Sequence, residues 1–268
     1  MSDIDYFEMN RIGWDRRAKV HIKSAFYDLK GFLAGNTSLR DIELNELGSV
    51  AGRSLLHLQC HFGMDTLSWA RLGARCTGVD LSPVAIEQAN VLTQKTGLAA
   101  RFVCSNVYDF QRGAVDPYDI VFTSYGAVCW LSDLHQWAEV VASNLAIGGT
   151  FYMVEFHPIY DLLAGYSYFT TEVPDVEIEG TYTENGTDAM AELATWTHPL
   201  SNVLNALVSA GIRIEHLNEF PFSPYNCFDD MEEGEPGRFY LRHKGHDVPI
   251  VYSLKGTKVE TSNFTKHE

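Results

Sequence analysis

From residue 54 onward the chain alternates two kinds of apolar pattern. Residues 54–60 (SLLHLQC) form a short apolar run of strand type, and Gly63 then opens a segment with helical spacing through Trp69, Ala70 and Leu72. A second strand follows at 75–79. Ser82-Pro83 places a capping serine before a proline at the first helical position, which predicts a helix over 84–96 that Gly97 ends. Residues 101–104 and 119–124 (DIVFTS) read as third and fourth strands. A helix over 133–145, closed by Gly148-Gly149, leads to a fifth strand at 150–156.

Before this core, residues 10–33 carry Ile12, Trp14, Val20, Ala25, Phe26 and Leu29 near helical spacing and predict one or two helices. Gly35-Asn36-Thr37-Ser38 punctuates them, and 41–47 reads as a short helix or loop. After Pro158 the rhythm breaks for an inserted stretch, 160–195. It resumes with a helix over 198–210, Pro199 near its start and Gly211 as its stop. A strand at 212–220, a second insertion (221–238) with the run DDMEEGE, and a last strand at 248–258 follow.

Strands alternating with helices predict an α/β fold: a doubly wound, seven-stranded, mostly parallel sheet with helices on both faces. The expected organisation is an N-terminal helical lid (1–48), a core (49–158), an inserted cap (159–197), a completion of the core (198–258) and a flexible tail (259–268).

With 268 residues the chain can bury roughly 70–75% of its unfolded surface and needs no staples to fold. The net charge of −15, from 20 Lys+Arg against 35 Asp+Glu, argues against a nucleic-acid substrate or a polybasic membrane patch. No apolar run reaches the roughly 18–20 residues of a membrane span, and MSDIDYFEMN lacks an apolar signal core, so a cytoplasmic location is expected. Cys60, Cys76, Cys104, Cys129 and Cys227 form no CxxC pair and read as buried reduced thiols. His57 and His61 stand four residues apart, but in a strand and the turn after it, and no metal is expected.

In open parallel sheets ligands bind beyond the carboxyl ends of the strands. Asp80 ends the second strand 20 residues after Cys60, a position suited to accepting hydrogen bonds from both ribose hydroxyls. The bland alternative, a helix cap, is already filled by Ser82. The stretch LLHLQCHFGMDTLSWARLGARCTGVDLSPVAIEQAN resembles the cofactor half of class I S-adenosylmethionine (SAM)-dependent methyltransferases, a likeness running from about 54 to 156 and more weakly to the C-terminus. Leu56, Leu58, Cys60 and Gly63 match that family's Asp/Glu-x-Gly-x-Gly-x-Gly strand end. The family's acid falls on His57 and two of its glycines on Gln59 and His61, which departs from the pattern.

The resemblance implies SAM as cofactor and S-adenosylhomocysteine (SAH) as product. It places Gln59, His61 and Gly63 at the methionyl end, Asp80 at the ribose, and Asn106 and Val107 at the adenine, with Cys60, Leu81 and Ser124 as further cofactor-binding candidates. His57, within the strand, reads as a satisfied polar residue. Tyr125 and Trp130 are placed to wall the sulfonium and the acceptor, where an aromatic face adds roughly 0.5–2 kcal/mol. Tyr225, His21 and Tyr27 are the further acceptor-side candidates, and His157, after the fifth strand, is the expected general base.

A dinucleotide oxidoreductase would need room for a pyrophosphate that Gln59, His61 and Phe62 would crowd. Neither Gly-x-x-x-x-Gly-Lys-Ser/Thr nor Gly-x-Ser-x-Gly is present. The insertions are rich in aromatics (Tyr160, Tyr166, Tyr168, Phe169, Tyr182, Trp196, Phe222, Phe228), as a closed pocket for a small molecule would be. The expected activity is methyl transfer to an oxygen or nitrogen of a small molecule. The alternatives are a non-catalytic SAM-fold binding protein, suggested by the altered glycine loop, and a SAM enzyme that does not transfer methyl.

Overall fold

The computed structural model describes residues 5–110 and 116–260. Helices α1 (Tyr6–His21), α2 (Leu29–Leu33) and α3 (Asp41–Leu47) precede the core. The core runs β1 (Ser54–Leu58), α4 (Met64–Arg71), β2 (Arg75–Asp80), α5 (Pro83–Thr96), β3 (Ala100–Cys104), β4 (Tyr118–Ser124), α6 (Leu134–Asn144) and β5 (Leu145–Phe156). The first insertion holds α7 (Ile159–Leu163) and an antiparallel hairpin of β6 (Asp175–Glu179) with β7 (Ala191–Thr195). After α8 (Leu200–Ser209) and β8 (Ile212–Phe220), the second insertion forms two small ribbons. These are β9 (Glu232–Glu233) with β10 (Phe239–Tyr240), and β11 (Arg242–His243) with β12 (His246–Asp247). The last strand is β13 (Val251–Lys258).

The seven-stranded sheet has the order β3-β2-β1-β4-β5-β13-β8. β1 to β5 pair in parallel, while β13 lies antiparallel between β5 and β8. Leu55, Leu56, His57 and Leu58 of β1 are all buried, as expected of a strand covered on both faces. α6 and α8 cover one face, where Trp137, Val203 and Leu207 meet Leu58 and Val121. α3 and α4 cover the other, where Ile42 and Trp69 meet Leu55 and Phe122.

Helix α5 starts and stops as its sequence predicts. Ser82 Oγ accepts from the Ala85 amide at 3.0 Å, and Gly97 takes the left-handed conformation at φ 68. The expected turn at Gly148-Gly149 is different. β5 begins at Leu145, directly after α6, and the glycines lie where its pairing with β4 shifts register, from Tyr118↔Leu145 to Ile120↔Thr150. The glycines therefore serve an irregularity within the strand and do not end the helix. Cys104 is exposed, contrary to the expectation of a buried thiol, because β3 is the sheet edge. Of the expected tail, 261–268 lie outside the described residues.

Sheet order reverses between β1 and β4, so the crevice opens beyond Leu58 and Ser124. Helix α1 and the β6–β7 hairpin lie over it as one layer. Asn10 donates to and accepts from the backbone of Ala194, at 2.8 Å each way, and Arg17 pairs with Glu179 at 2.7 Å. Gly13 allows the close approach of α1 to β7, since a Cβ there would run into Leu193.

Candidate active site

The turn after β1 keeps the backbone of a glycine loop without its glycines. Gln59 sits at φ 57, His61 at φ 52 and Gly63 at φ 80. A left-handed non-glycine residue costs roughly 1–2 kcal/mol, so two of them need local compensation. Gln59 Nε2 donates to the Ala127 carbonyl at 2.6 Å, tying the β1 turn to the β4 turn across the switch point. The His61 amide donates to Asp80 Oδ2 at 2.7 Å. Gly63 lines the cavity, but a Cβ on it would meet the Phe102 ring at 2.6 Å, so this glycine also serves the packing of α4 behind the site.

Asp80 faces the cavity at the end of β2. Its other oxygen accepts from the Ser82 amide at 2.9 Å, so the carboxylate fixes the turns after both β1 and β2. Burial, reinforced by nearby Asp15, pushes its pKa up to about 6. Leu81, Asn106 and Val107 line the same end. Asn106 Oδ1 accepts from the Tyr108 amide at 3.1 Å and so caps its own turn, leaving one lone-pair direction for a ligand.

Under the switch point lies a polar cluster. His57 is buried, with Nδ1 2.9 Å from Thr66 Oγ1 and Nε2 3.2 Å from Ser124 Oγ; burial lowers its pKa to about 3. Ser124 and Ser38 both donate to Asp65, at 3.3 and 2.6 Å. Arg40 faces the cavity beside this cluster, its guanidinium 4.4 Å over the Tyr225 ring. It joins none of the ion pairs among the described residues.

The turn after β4 is held by Glu155 of β5. This buried carboxylate accepts from the amides of Gly126, Ala127 and Val128, the last two at 2.7 and 3.0 Å, and from Phe156 at 2.6 Å. Tyr125, at the same turn, lines the cavity and donates to Glu43 Oε2 at 3.0 Å.

The lid closes the other side. His21 Nδ1 lies 2.9 Å from His61 Nε2, and His21 Nε2 lies 2.6 Å from Thr181 Oγ1. Trp14 packs edge-on against His61 and Trp130, at 5.2 and 5.3 Å between centroids, with the Arg17 guanidinium over both indoles. Tyr27 hydrogen-bonds Tyr182 through their hydroxyls.

These walls enclose a cavity of about 1010 Å³, at the upper end of the roughly 300–1,000 Å³ typical of small-molecule sites. It brings together Gln59, Cys60, His61, Gly63, Asp80, Leu81, Asn106, Val107 and Ser124. Tyr27, Tyr125, Trp130 and Tyr225 line it as well.

Two sequence candidates stand elsewhere. His21 is fully buried behind the wall, occupied by His61 and Thr181, and does not line the cavity. His157 also lies off the cavity. Its Nε2 is 2.9 Å from Glu219 and its Nδ1 accepts from the Ile159 amide at 3.0 Å, so no ring nitrogen is left to act as a base. Sequence reasoning misses Arg40, Glu43 and Glu155. Only Glu155 carries a signal: a charge inside the apolar strand FYMVEF demands partners.

The residues fit the cofactor that the sequence suggests. Gln59 Oε1, His61 Nδ1 and Arg40 Nε are buried polar atoms without a partner, and all three residues line the cavity. An amide oxygen, an imidazole nitrogen and a guanidinium N–H match the ammonium and carboxylate of an amino-acid tail. The Asp80 carboxylate matches a vicinal diol.

Residues 55–149 match the family model described as a methyltransferase domain. A ubiquinone biosynthesis O-methyltransferase of Xanthomonas axonopodis pv. citri (strain 306) is 26% identical over 179 residues, covering 65% of this chain and 69% of that protein. A putative S-adenosylmethionine-dependent methyltransferase from Listeria monocytogenes superimposes with a TM-score of 0.57 at 18% identity, covering 81% of this chain and 98% of that one. The DhpI–SAH complex superimposes with a TM-score of 0.57 at 16% identity, covering 95% and 98%. The fold is that of the class I S-adenosylmethionine-dependent methyltransferases. Residues 55–149 carry a methyltransferase domain on that fold.

Proposed function

We propose that the protein transfers the methyl group of SAM to an oxygen or nitrogen of a small, partly aromatic molecule. The observation that carries this reading is the cavity itself. Its lining combines Gln59, His61, Asp80 and Val107, at and beyond the strand ends of β1 to β3, with the aromatic side chains of Tyr27, Tyr125, Trp130 and Tyr225. The relationship to O-methyltransferases favours oxygen as the acceptor.

SAM, when bound, supplies an electrophilic methyl group: the acceptor's lone pair forms the new bond as the sulfur–methyl bond breaks and its electron pair stays on sulfur. The chain's own residues supply alignment, where effective molarities are large. Gln59 Oε1 and His61 Nδ1 take the ammonium end and Arg40 the carboxylate. Asp80 takes the ribose hydroxyls, Leu81 and Val107 wall the adenine, and Asn106 Oδ1 meets its amino group. The rings of Tyr125, Trp130 and Tyr225 orient the acceptor, and the α1–hairpin layer excludes water.

Calorimetric titration with SAH tests the reading. Saturable binding at one site, weakened by Arg40→Gln and by Asp80→Ala, is the expected result. A folded sample that binds neither SAM nor SAH overturns it.

A further inference from the structure

Glu43 has no side-chain role in the cofactor end just described, yet it is fully buried on α3. A buried carboxyl without an ion pair is costly unless it has a use or a full set of partners. Its Oε1 accepts from the Arg40 amide at 2.6 Å, and its Oε2 accepts from the Tyr125 hydroxyl at 3.0 Å. Tyr125 in turn lines the cavity at the turn after β4, between Ser124 and the Glu155-anchored amide of Gly126. With both nitrogens of His157 engaged, the acceptor end needs another destination for a proton.

We propose that Tyr125 and Glu43 form a proton-accepting dyad for the methyl acceptor, with Tyr125 touching the acceptor and Glu43 acting through it; the inference rests on the methyltransferase reading. The acceptor's proton passes to Tyr125 Oη while the tyrosine's own proton passes to Glu43 Oε2. One acceptor–hydrogen bond breaks and one Oη–H bond forms; the old Oη–H bond breaks and an Oε2–H bond forms. Tyr125 ends neutral, Glu43 ends as the acid, and the electron pair left on the acceptor is the nucleophile.

The charges around Glu43 favour such use. Arg40 at its own helix cap, Asp65 on α4, Tyr125 after β4, Tyr152 on β5 (bonded to Glu46) and Tyr225 from the second insertion are the titratable groups facing it. Burial, with Asp65 adding to it, pushes the carboxyl up to about 8, so it changes protonation near neutral pH. A positive charge arriving in the cavity lowers that value and frees the carboxylate; its loss restores the proton.

Infrared difference spectroscopy of the full-length protein, saturated with SAH or with SAM, reads this directly. A protonated-carboxyl band should be present at pH 6, titrate away near pH 8 with SAH, and be absent in Glu43→Gln. With SAM its midpoint should fall by roughly one pH unit, the low end of the effect of a nearby opposite charge. Tyr125→Phe, which removes the donor to Oε2, should raise the midpoint. Equal midpoints with SAM and SAH, or a band unaffected by Glu43→Gln, overturn the dyad while leaving the cofactor reading intact. Failure to bind either compound sinks that reading instead, and the dyad with it.

Discussion

His21 Nδ1 and His61 Nε2 stand 2.9 Å apart, joining the last turn of the lid helix to the turn after β1. One nitrogen must donate and the other accept, so the contact requires at least one neutral ring. Burial, followed by the Arg17 charge, lowers His21 to about 3, and burial with His21 and Arg17 takes His61 well below 6.5. The unfolded chain therefore binds protons that the folded chain refuses as pH falls from 6.5 toward 3. The stability contributed by this pair is complete above pH 6.5 and is lost below it. Each tenfold weakening of proton affinity on folding is worth about 1.4 kcal/mol. Urea unfolding at pH 7, 6, 5 and 4 should show a steeper acid loss for the native chain than for His21→Gln. Equal slopes would mean that the histidines do not carry the acid sensitivity.

The left-handed residues of the β1 turn make a second prediction. Gln59→Gly removes roughly 1–2 kcal/mol of backbone strain. Against that stand roughly 0.5–1 kcal/mol of added chain entropy and roughly 0.5–1.5 kcal/mol for the bond to Ala127. These nearly cancel, so stability should change by less than about 1 kcal/mol. SAH affinity should nonetheless fall about tenfold, because the buried Oε1 acceptor is gone. Thermal unfolding and calorimetry on one sample separate the two effects; an unchanged affinity removes Gln59 from the site.

Asp80 couples the cofactor to the architecture. Asp80→Ala should weaken SAH by roughly 1.5–3 kcal/mol, the range for hydrogen bonds to a charged group. It should also cost stability, since the amides of His61 and Ser82 lose their acceptor. Because burial holds this carboxyl at about 6, it is ionised above that pH and protonated below it. SAH affinity should therefore decline as pH falls through 6. Calorimetry at pH 7.5 and pH 5 tests the sign, and a flat profile argues against an ionised Asp80 in binding.

Much of this arrangement is legible in the amino-acid sequence. The central strands β1, β4 and β5 announce themselves because parallel strands covered on both faces read as apolar runs, and α5 because Ser82, Pro83 and Gly97 act locally. Asp80 stands out by its spacing along the chain, a property of the βαβ unit. His157 misleads as a candidate base because its neighbour Glu219 comes from β8, 62 residues away, and nothing local encodes that contact. Glu43 is invisible for the same reason. DIELNEL reads only as a short helix or loop, and the packing of α3 on the sheet is what buries one of its glutamates.

Glu155 offers the strongest test of how the acceptor wall is built. Its carboxylate accepts from four backbone amides, three of them in the turn that carries Tyr125 and Trp130. Burial raises its pKa and the amides oppose that rise. Glu155→Gln keeps the volume but replaces one accepting oxygen by an NH2 group that faces backbone N–H donors. Removing one member of a buried, charged hydrogen-bond set costs on the order of 3–5 kcal/mol, and part of that is the desolvated amides left without a partner. Chemical denaturation should show a loss of that size. Gln59 Nε2 bonds the Ala127 carbonyl of the same turn, so a displaced turn also loosens the cofactor loop, and SAH affinity should fall although Glu155 lines no part of the cavity. A stable Glu155→Gln protein with native SAH affinity would show that the turn holds its shape without this carboxylate, and the wall of the acceptor chamber would then have to be set by the Trp14–Trp130 packing from the lid.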